Sequence, residues 1–317
     1  MSKFQRPNIQ RMQGYSWGEQ PLDVQTIKLN TNENPYPPSP AVTDALSAFA
    51  ADSLRTYPQP TANALREQIA ELHGLSKNQV VVTHAGDEAL RLAVTAYVSP
   101  GGTFAGTDPS YSLYPVLAQI QDAQTFNIDL EANWSIPTDF AARASAENAQ
   151  LTCLVNPHAP SGRFTHAEDL HQIARTISGV LLIDEAYADF IDPEIGYSSR
   201  EFVEQHDNVL VLRTFSKGYS LAGLRLGYLL GDQELITPIL EKTRDSYNVD
   251  AISQSLGIAA LKDQIYARST WKKVREQRQL LAQQLTVLGW SCLASEANFL
   301  LTTPPSNSIG AEAIYKR

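Results

Sequence analysis

Two cysteines in 317 residues, Cys153 and Cys292, are too few and too far apart to staple a fold or hold a metal ion. Each reads as a small apolar packing residue, and their scarcity points to a reducing, cytoplasmic setting. Basic residues are in deficit, with 25 Lys and Arg against 34 Asp and Glu and a net charge of −9. No basic stripe is left to neutralise a polyanion, which argues against a nucleic-acid binder. An anionic ligand must then be held by a few placed residues. Long apolar runs are lacking, so no membrane span is expected, and the opening MSKFQRPNIQ has no apolar core of the signal-peptide kind. Repeats and low-complexity tracts are missing too. What is present, 43% hydrophobic and 19% charged residues, is ordinary soluble composition, with length for one large and one small domain.

Strand and helix signals alternate along the chain. A Pro-rich segment at 35–40 (PYPPSP) separates an irregular N-terminal arm from the first helical stretch. Short apolar runs at 80–83, 103–107, 151–155, 180–183 and 209–212 predict strands buried on both faces. Helices are expected between them, at 87–98 and at 165–175, the second opening on a capping box of Thr165 and Glu168. The alternation predicts an α/β fold, a mostly parallel central sheet flanked by helices. After about residue 230 helices dominate, at 233–242, 253–261 and 266–288 (ended by Gly289), followed by a strand at 298–302. The expected division is a large domain over 30–235 and a smaller α+β domain from 1–29 and 236–317. The chain stops at Arg317 inside a helix-like AEAIYKR, so the small domain is expected to be incomplete at its C-terminal side.

Four motifs carry chemistry, each at the C-terminal end of a predicted strand, where an α/β fold gathers ligands in one crevice. In RTFSKGYSLAGLRLG a strand ends, two hydroxyl residues flank Lys217, glycines follow, and Arg225 sits eight positions on. A lysine used for imine chemistry must spend time deprotonated, and a phosphate and pyridine ring held beside it permit that. Ser216 and Arg225 suit the phosphate; a surface lysine in a Gly/Ser loop fits the same letters. In LLIDEAY the strand-end Asp184 suits a pyridine nitrogen and Tyr187 the ring's phenolic oxygen, although strand-end aspartates also cap helices. In VTHAGDEAL a tight strand-to-helix turn offers the N–H groups of Gly86 and Asp87 to an anion. In DPSYSLY, Tyr111 suits stacking on a ring, or a structural place in the core.

With these residues in view, the chain resembles the fold-type I aminotransferases that use pyridoxal 5′-phosphate (PLP), and within them the histidinol-phosphate aminotransferase branch. The resemblance runs from 29 to about 301, over LNTNENP, RTYP, the Gly86–Asp87–Glu88 turn, PSY, IDEAY and the Ser216–Lys217 pair, with DSYNVD and SEANF beyond. It implies the PLP-dependent transferase fold type I and transfer of an amino group between L-histidinol phosphate and 2-oxoglutarate, in histidine biosynthesis. Lys217 would carry PLP as a Schiff base. Ser216, Arg225, Gly86 and Asp87 would hold its phosphate, with Tyr57 lent by a partner subunit in a homodimer. Asn34, Tyr247 and Asn298 would meet the substrate.

Two departures from that pattern stand out. The family's loop asparagine on the phenolic oxygen is replaced by Ala159 in Asn156–Pro–His158–Ala–Pro–Ser–Gly, and alanine can neither donate nor accept. Tyr187 alone, Asn156 or His158 would have to serve; Asn156 and His158 equally fit turn chemistry. The family's arginines for the acidic co-substrate are expected after Arg317, which implies feeble transamination. A decarboxylase of an amino-acid phosphate such as threonine phosphate, or an aromatic amino-acid aminotransferase, fits the same residues. A non-catalytic PLP-binding regulator would need a DNA-binding domain, for which the roughly 30 residues before the NENP motif are too few.

Overall fold

A computed structural model of the chain describes residues 3–21 and 25–316. Seven strands form the central sheet: β1 (Val80–Thr83), β2 (Thr103–Asp108), β3 (Gln124–Asp129), β4 (Ala149–Val155), β5 (Val180–Asp184), β6 (Val209–Thr214) and β7 (Gly227–Gly231). Their order is β1-β7-β6-β5-β4-β2-β3, and only β7 runs antiparallel to its neighbours. The five predicted runs are five of these strands. The other two escape an apolar-run reading for different reasons. β3 is an edge strand, QTFNID, that buries only Ile128, while β7 is three residues between glycines, GYLLG.

Alternation along the strands builds two cores. Val80, Leu154, Leu181, Ile183, Val209, Val211 and Leu230 face one way, onto Leu65, Ile69, Ile173, Phe202 and Leu256 of helices on that side. Val81, Cys153, Val155, Leu182, Leu210, Leu212 and Leu229 face the other, onto the helix Ala85–Tyr97 and the helix Leu113–Ile120. Strands sandwiched this way have no polar face, which is why they read as unbroken apolar runs. All five parallel strands after β1, β2 to β6, therefore deliver their C-terminal ends to one edge of the sheet.

Past β7 the helices run Gln233–Pro238, Ala251–Lys262 and Gln264–Val287, with Gly289 in the left-handed conformation at the end of the last. Pro238 lacks an N–H, and the first of these passes into a π-helical turn, Ile239–Thr243. Two expectations are corrected here. The helix predicted from 165 begins at Ala167 without a capping box, because the Thr165 N–H and carbonyl are both taken by the Asn156 amide. The strand predicted at 298–302 is reduced to β9 (Thr302–Thr303), paired with β8 (Ser291–Cys292). Ser295 bends the intervening chain, its hydroxyl donating to the Phe299 carbonyl and accepting from the Ala297 N–H. No helix among the described residues is long and apolar enough to cross a membrane.

One buried ion cluster locks the sheet edge. Arg213 on β6 donates to Glu185 at 2.9 Å and to Asp189, and Tyr197 and Ser199 also donate to Glu185. Arg213→Ala leaves two buried carboxylates without their cation, so unfolding in denaturant should show a loss of about 3–5 kcal/mol. A loss below about 1 kcal/mol, the scale of an exposed pair, would contradict this account.

Candidate active site

The floor of the crevice is Asp184, the last residue of β5 and buried. Its Oδ2 accepts from the Tyr114 hydroxyl at 2.8 Å and its Oδ1 from the Ala186 N–H at 3.1 Å. Burial pushes the carboxyl up to about 6, against the pull of those two donors. Tyr114 is a functional residue that the sequence reading left without a role. Its helix crosses the sheet face, and only the packing of Leu113–Ile120 shows that its hydroxyl ends on β5.

The amine comes from the adjacent strand. Lys217 follows β6 by three residues, its Nζ donates to the Thr31 carbonyl at 2.5 Å and lies 5.8 Å from the centre of the Tyr187 ring. Burial lowers its pKa to about 8, helped by Arg225 and Lys28 and opposed by Glu33 and Asp87. The next position must be glycine: a Cβ on Gly218 would lie 2.1 Å from Asp189 Oδ2. The lysine loop thus rests directly on the Arg213 cluster.

Beside the amine is an anion cup. The helix Ala85–Tyr97 starts right after β1, and its first N–H groups, including those of Gly86 and Asp87, have no partner within the helix. Gly227 on β7 lets the turn sit close, since a Cβ there would come within 2.8 Å of the Ala85 carbonyl carbon. Glu88 braces the turn by accepting from the His84 N–H and the Asn248 amide. Arg225, in the left-handed conformation at φ 57, reaches Ser216 Oγ at 3.4 Å and Asp87 at 3.2 Å. Tyr111 donates to Asp87 at 3.4 Å and meets Tyr114 edge-on, with ring centroids 5.6 Å apart. A cavity of 470 Å³ opens here between His84, Asp87, Tyr111, Arg225 and Asn248.

The N-terminal arm straps the other side. Asn34 donates to the Gly218 carbonyl, tying the arm to the lysine loop, while its Oδ1 accepts from the Tyr36 N–H and turns the arm on itself. Asn298 donates to the Asn32 carbonyl at 2.9 Å, while its buried Oδ1 has no hydrogen-bond partner among the described residues.

Three expected residues lie elsewhere. Tyr57, 80% exposed, stacks on Tyr247 with centroids 4.5 Å apart; the Tyr247 segment touches the cavity through Asp245 and Asn248. Asn156, expected at the cofactor, is fully buried with both amide ends on Thr165, so of its two readings the structure gives the turn. His158 likewise spends both ring nitrogens, on Ser161 and on the Pro109 carbonyl.

The family model for aminotransferase class I and II matches residues 24–316. The chain belongs to that family. It is 39% identical over its whole length to histidinol-phosphate aminotransferase 1 of Trichormus variabilis, covering 88% of that protein. It is 41% identical over 98% of its length to the histidinol-phosphate aminotransferase of Geotalea daltonii, covering 87% of it. Among solved structures, the Sinorhizobium meliloti histidinol-phosphate aminotransferase in complex with pyridoxal-5′-phosphate superposes with a TM-score of 0.80 at 27% identity, over 86% of this chain and 74% of that one. The Thermus thermophilus aspartate aminotransferase with maleate, at 22% identity and TM-score 0.77 over 86% of this chain and 76% of that one, shares the fold. The fold-type I architecture is therefore the one present.

Competitive acylation of the ligand-free protein should find Lys217 half-reactive at a pH of about 8, because burial favours its neutral amine. A midpoint indistinguishable from those of exposed lysines would show that the crevice does not depress it.

Proposed function

We propose that this chain transfers an amino group between L-histidinol phosphate and 2-oxoglutarate with PLP as cofactor, as a step of histidine biosynthesis. One observation carries the reading: a desolvated amine, a buried carboxylate and an anion cup share a single crevice. Those groups fit PLP. Lys217 suits its aldehyde and Asp184 its pyridine nitrogen, while Ser216, Arg225 and the N–H groups of Gly86 and Asp87 suit its phosphate. The two relatives at 39% and 41% identity support the choice of donor.

When bound, PLP supplies an electron sink for the charge left on the substrate's α-carbon. The protein's part follows from its own side chains. Asp184, buried and ionised above about pH 6, would hold a proton on the facing nitrogen, strongly because it is desolvated. Lys217, with its pKa near 8, can bind the cofactor as a neutral amine and afterwards move a proton on and off the α-carbon. Tyr111 would stack on the ring and Tyr187 would donate to its phenolic oxygen. Asn298 offers the unpartnered Oδ1 to the substrate.

Residues 30–235 form the large, cofactor-holding domain in this reading, and 1–29 with 236–317 the small one. The exposed Tyr57–Tyr247 stack supports a homodimer in which Tyr57 serves the neighbouring subunit's phosphate. Two free cysteines, Cys153 and Cys292, suit the cytoplasm.

Mixing PLP-loaded protein with histidinol phosphate, aromatic amino acids or threonine phosphate, and following the cofactor's absorption, tests the assignment. Histidinol phosphate should convert the cofactor to its amine form and 2-oxoglutarate should restore it. Carbon dioxide released from threonine phosphate, or turnover confined to aromatic amino acids, would replace the reading with another. Asp184→Ala should cut turnover by at least two orders of magnitude, since a charge aligned with the developing charge contributes ~3–4 kcal/mol or more; near-normal turnover would contradict its role.

A further inference from the structure

The loop at 156–162 offers the crevice no free side-chain donor among the described residues. Ala159 has none, Asn156 is bound at both ends to Thr165, and His158 is bound at both nitrogens. That leaves the Tyr187 hydroxyl to reach the ring's phenolic oxygen. A phenol carries one proton that swings about the C–O bond, so its direction depends on what else touches the oxygen.

Asn32 touches it. Its Nδ2 donates to the Tyr187 oxygen at 3.2 Å, from a residue of the N-terminal arm 155 positions away in sequence. The Tyr187 proton meets no acceptor among the described residues. Asn32 is itself held in place: its carbonyl accepts from Asn298 at 2.9 Å, and the preceding carbonyl, of Thr31, accepts from Lys217. Its backbone is left-handed, φ 54, a conformation that asparagine tolerates better than most residues. Phe299 packs edge-on against the Tyr187 ring, with centroids 5.0 Å apart, and fixes its plane.

We propose that Asn32 is a positioning residue for the reaction, filling one lone pair of the Tyr187 oxygen so that the Tyr187 proton points into the crevice. It thereby takes over the work of the donor that Ala159 cannot supply. Accepting a hydrogen bond also polarises the O–H and makes it a better donor. The same contact pulls the Tyr187 phenol down, against the burial that raises it. The inference rests on the PLP reading above. A stronger donor on the phenolic oxygen draws negative charge away from the Lys217 nitrogen and lowers that nitrogen's pKa in the loaded protein.

The test has two arms. Asn32→Gly keeps the left-handed backbone and removes the amide, and Asn32→Asp keeps the shape and removes the donor. In ligand-free protein labelled at the tyrosine ζ-carbons, the resonance lost in Tyr187→Phe identifies Tyr187, and both Asn32 variants should titrate it at higher pH than the wild type. In PLP-loaded protein, the visible absorption titration should move to higher pH by on the order of half to one unit in Asn32→Gly, the scale of one neutral hydrogen bond. Tyr187→Phe should move it the same way, and Asn32→Gly should add nothing in that background. Ala159→Asn should bring the midpoint of Asn32→Gly back down. An unmoved Tyr187 resonance, or an Asn32 effect undiminished in Tyr187→Phe, would overturn the proposal. A wild-type protein that gives no pH-dependent visible band with PLP would overturn the cofactor reading instead, and the tyrosine resonance would then still decide whether the Asn32 contact exists.

Discussion

A carboxylate buried at the end of a strand needs donors or a cation, and Asp184 has two donors and, among the described residues, no cation. Its neighbours show what full compensation looks like. Glu185 and Asp189, one and five residues on, share Arg213, and Glu185 also accepts from Tyr197 and Ser199. Within one short stretch, two buried carboxylates are satisfied and serve the fold, and a third is left short of charge. The shortfall is what a protonated ring nitrogen would fill, and it explains why burial can hold Asp184 near 6 while the surrounding structure stays intact.

The same desolvation acts on Lys217 with the opposite sign. Burying a cation lowers its pKa and burying an anion raises it, so the pair moves from opposite ends of the scale to about 8 and about 6. Two groups brought this close to neutrality can exchange roles with a substrate at ordinary pH, which is the usual mark of an acid–base site. Neither shift would arise without the sheet edge. β5 and β6 pair in parallel with Asp184 level with Leu212, so the two strand ends emerge side by side. Gly218 and Gly227 then let the lysine loop and the anion turn close onto their supports.

Legibility in the sequence followed this geometry. Strands buried on both faces are apolar throughout, so their ends could be read, and with them Asp184, Lys217, Ser216, Arg225 and the Gly86–Asp87 turn. What stayed hidden depends on distant residues meeting. Tyr114 reaches Asp184 across the sheet face, Asn32 reaches Tyr187 from the arm, and Arg213 joins two carboxylates that look unremarkable as letters. The Asn156 loop misled for a related reason. An asparagine's two ends match a backbone N–H and carbonyl so well that Thr165 claimed both, and the helix start moved with it. Polar edge strand β3 and the glycine-flanked β7 carried too little apolar signal to be seen.

The carboxyl-carbon titration of Asp184, followed by NMR in ligand-free and PLP-loaded protein, tests this account most directly. The ligand-free midpoint should lie at about 6, raised by burial, and loading should pull it well below that value as a cation takes its place opposite the carboxylate. A midpoint that stays put or rises on loading would mean that Asp184 does not face a protonated nitrogen, and the proposed chemistry would have to be given up.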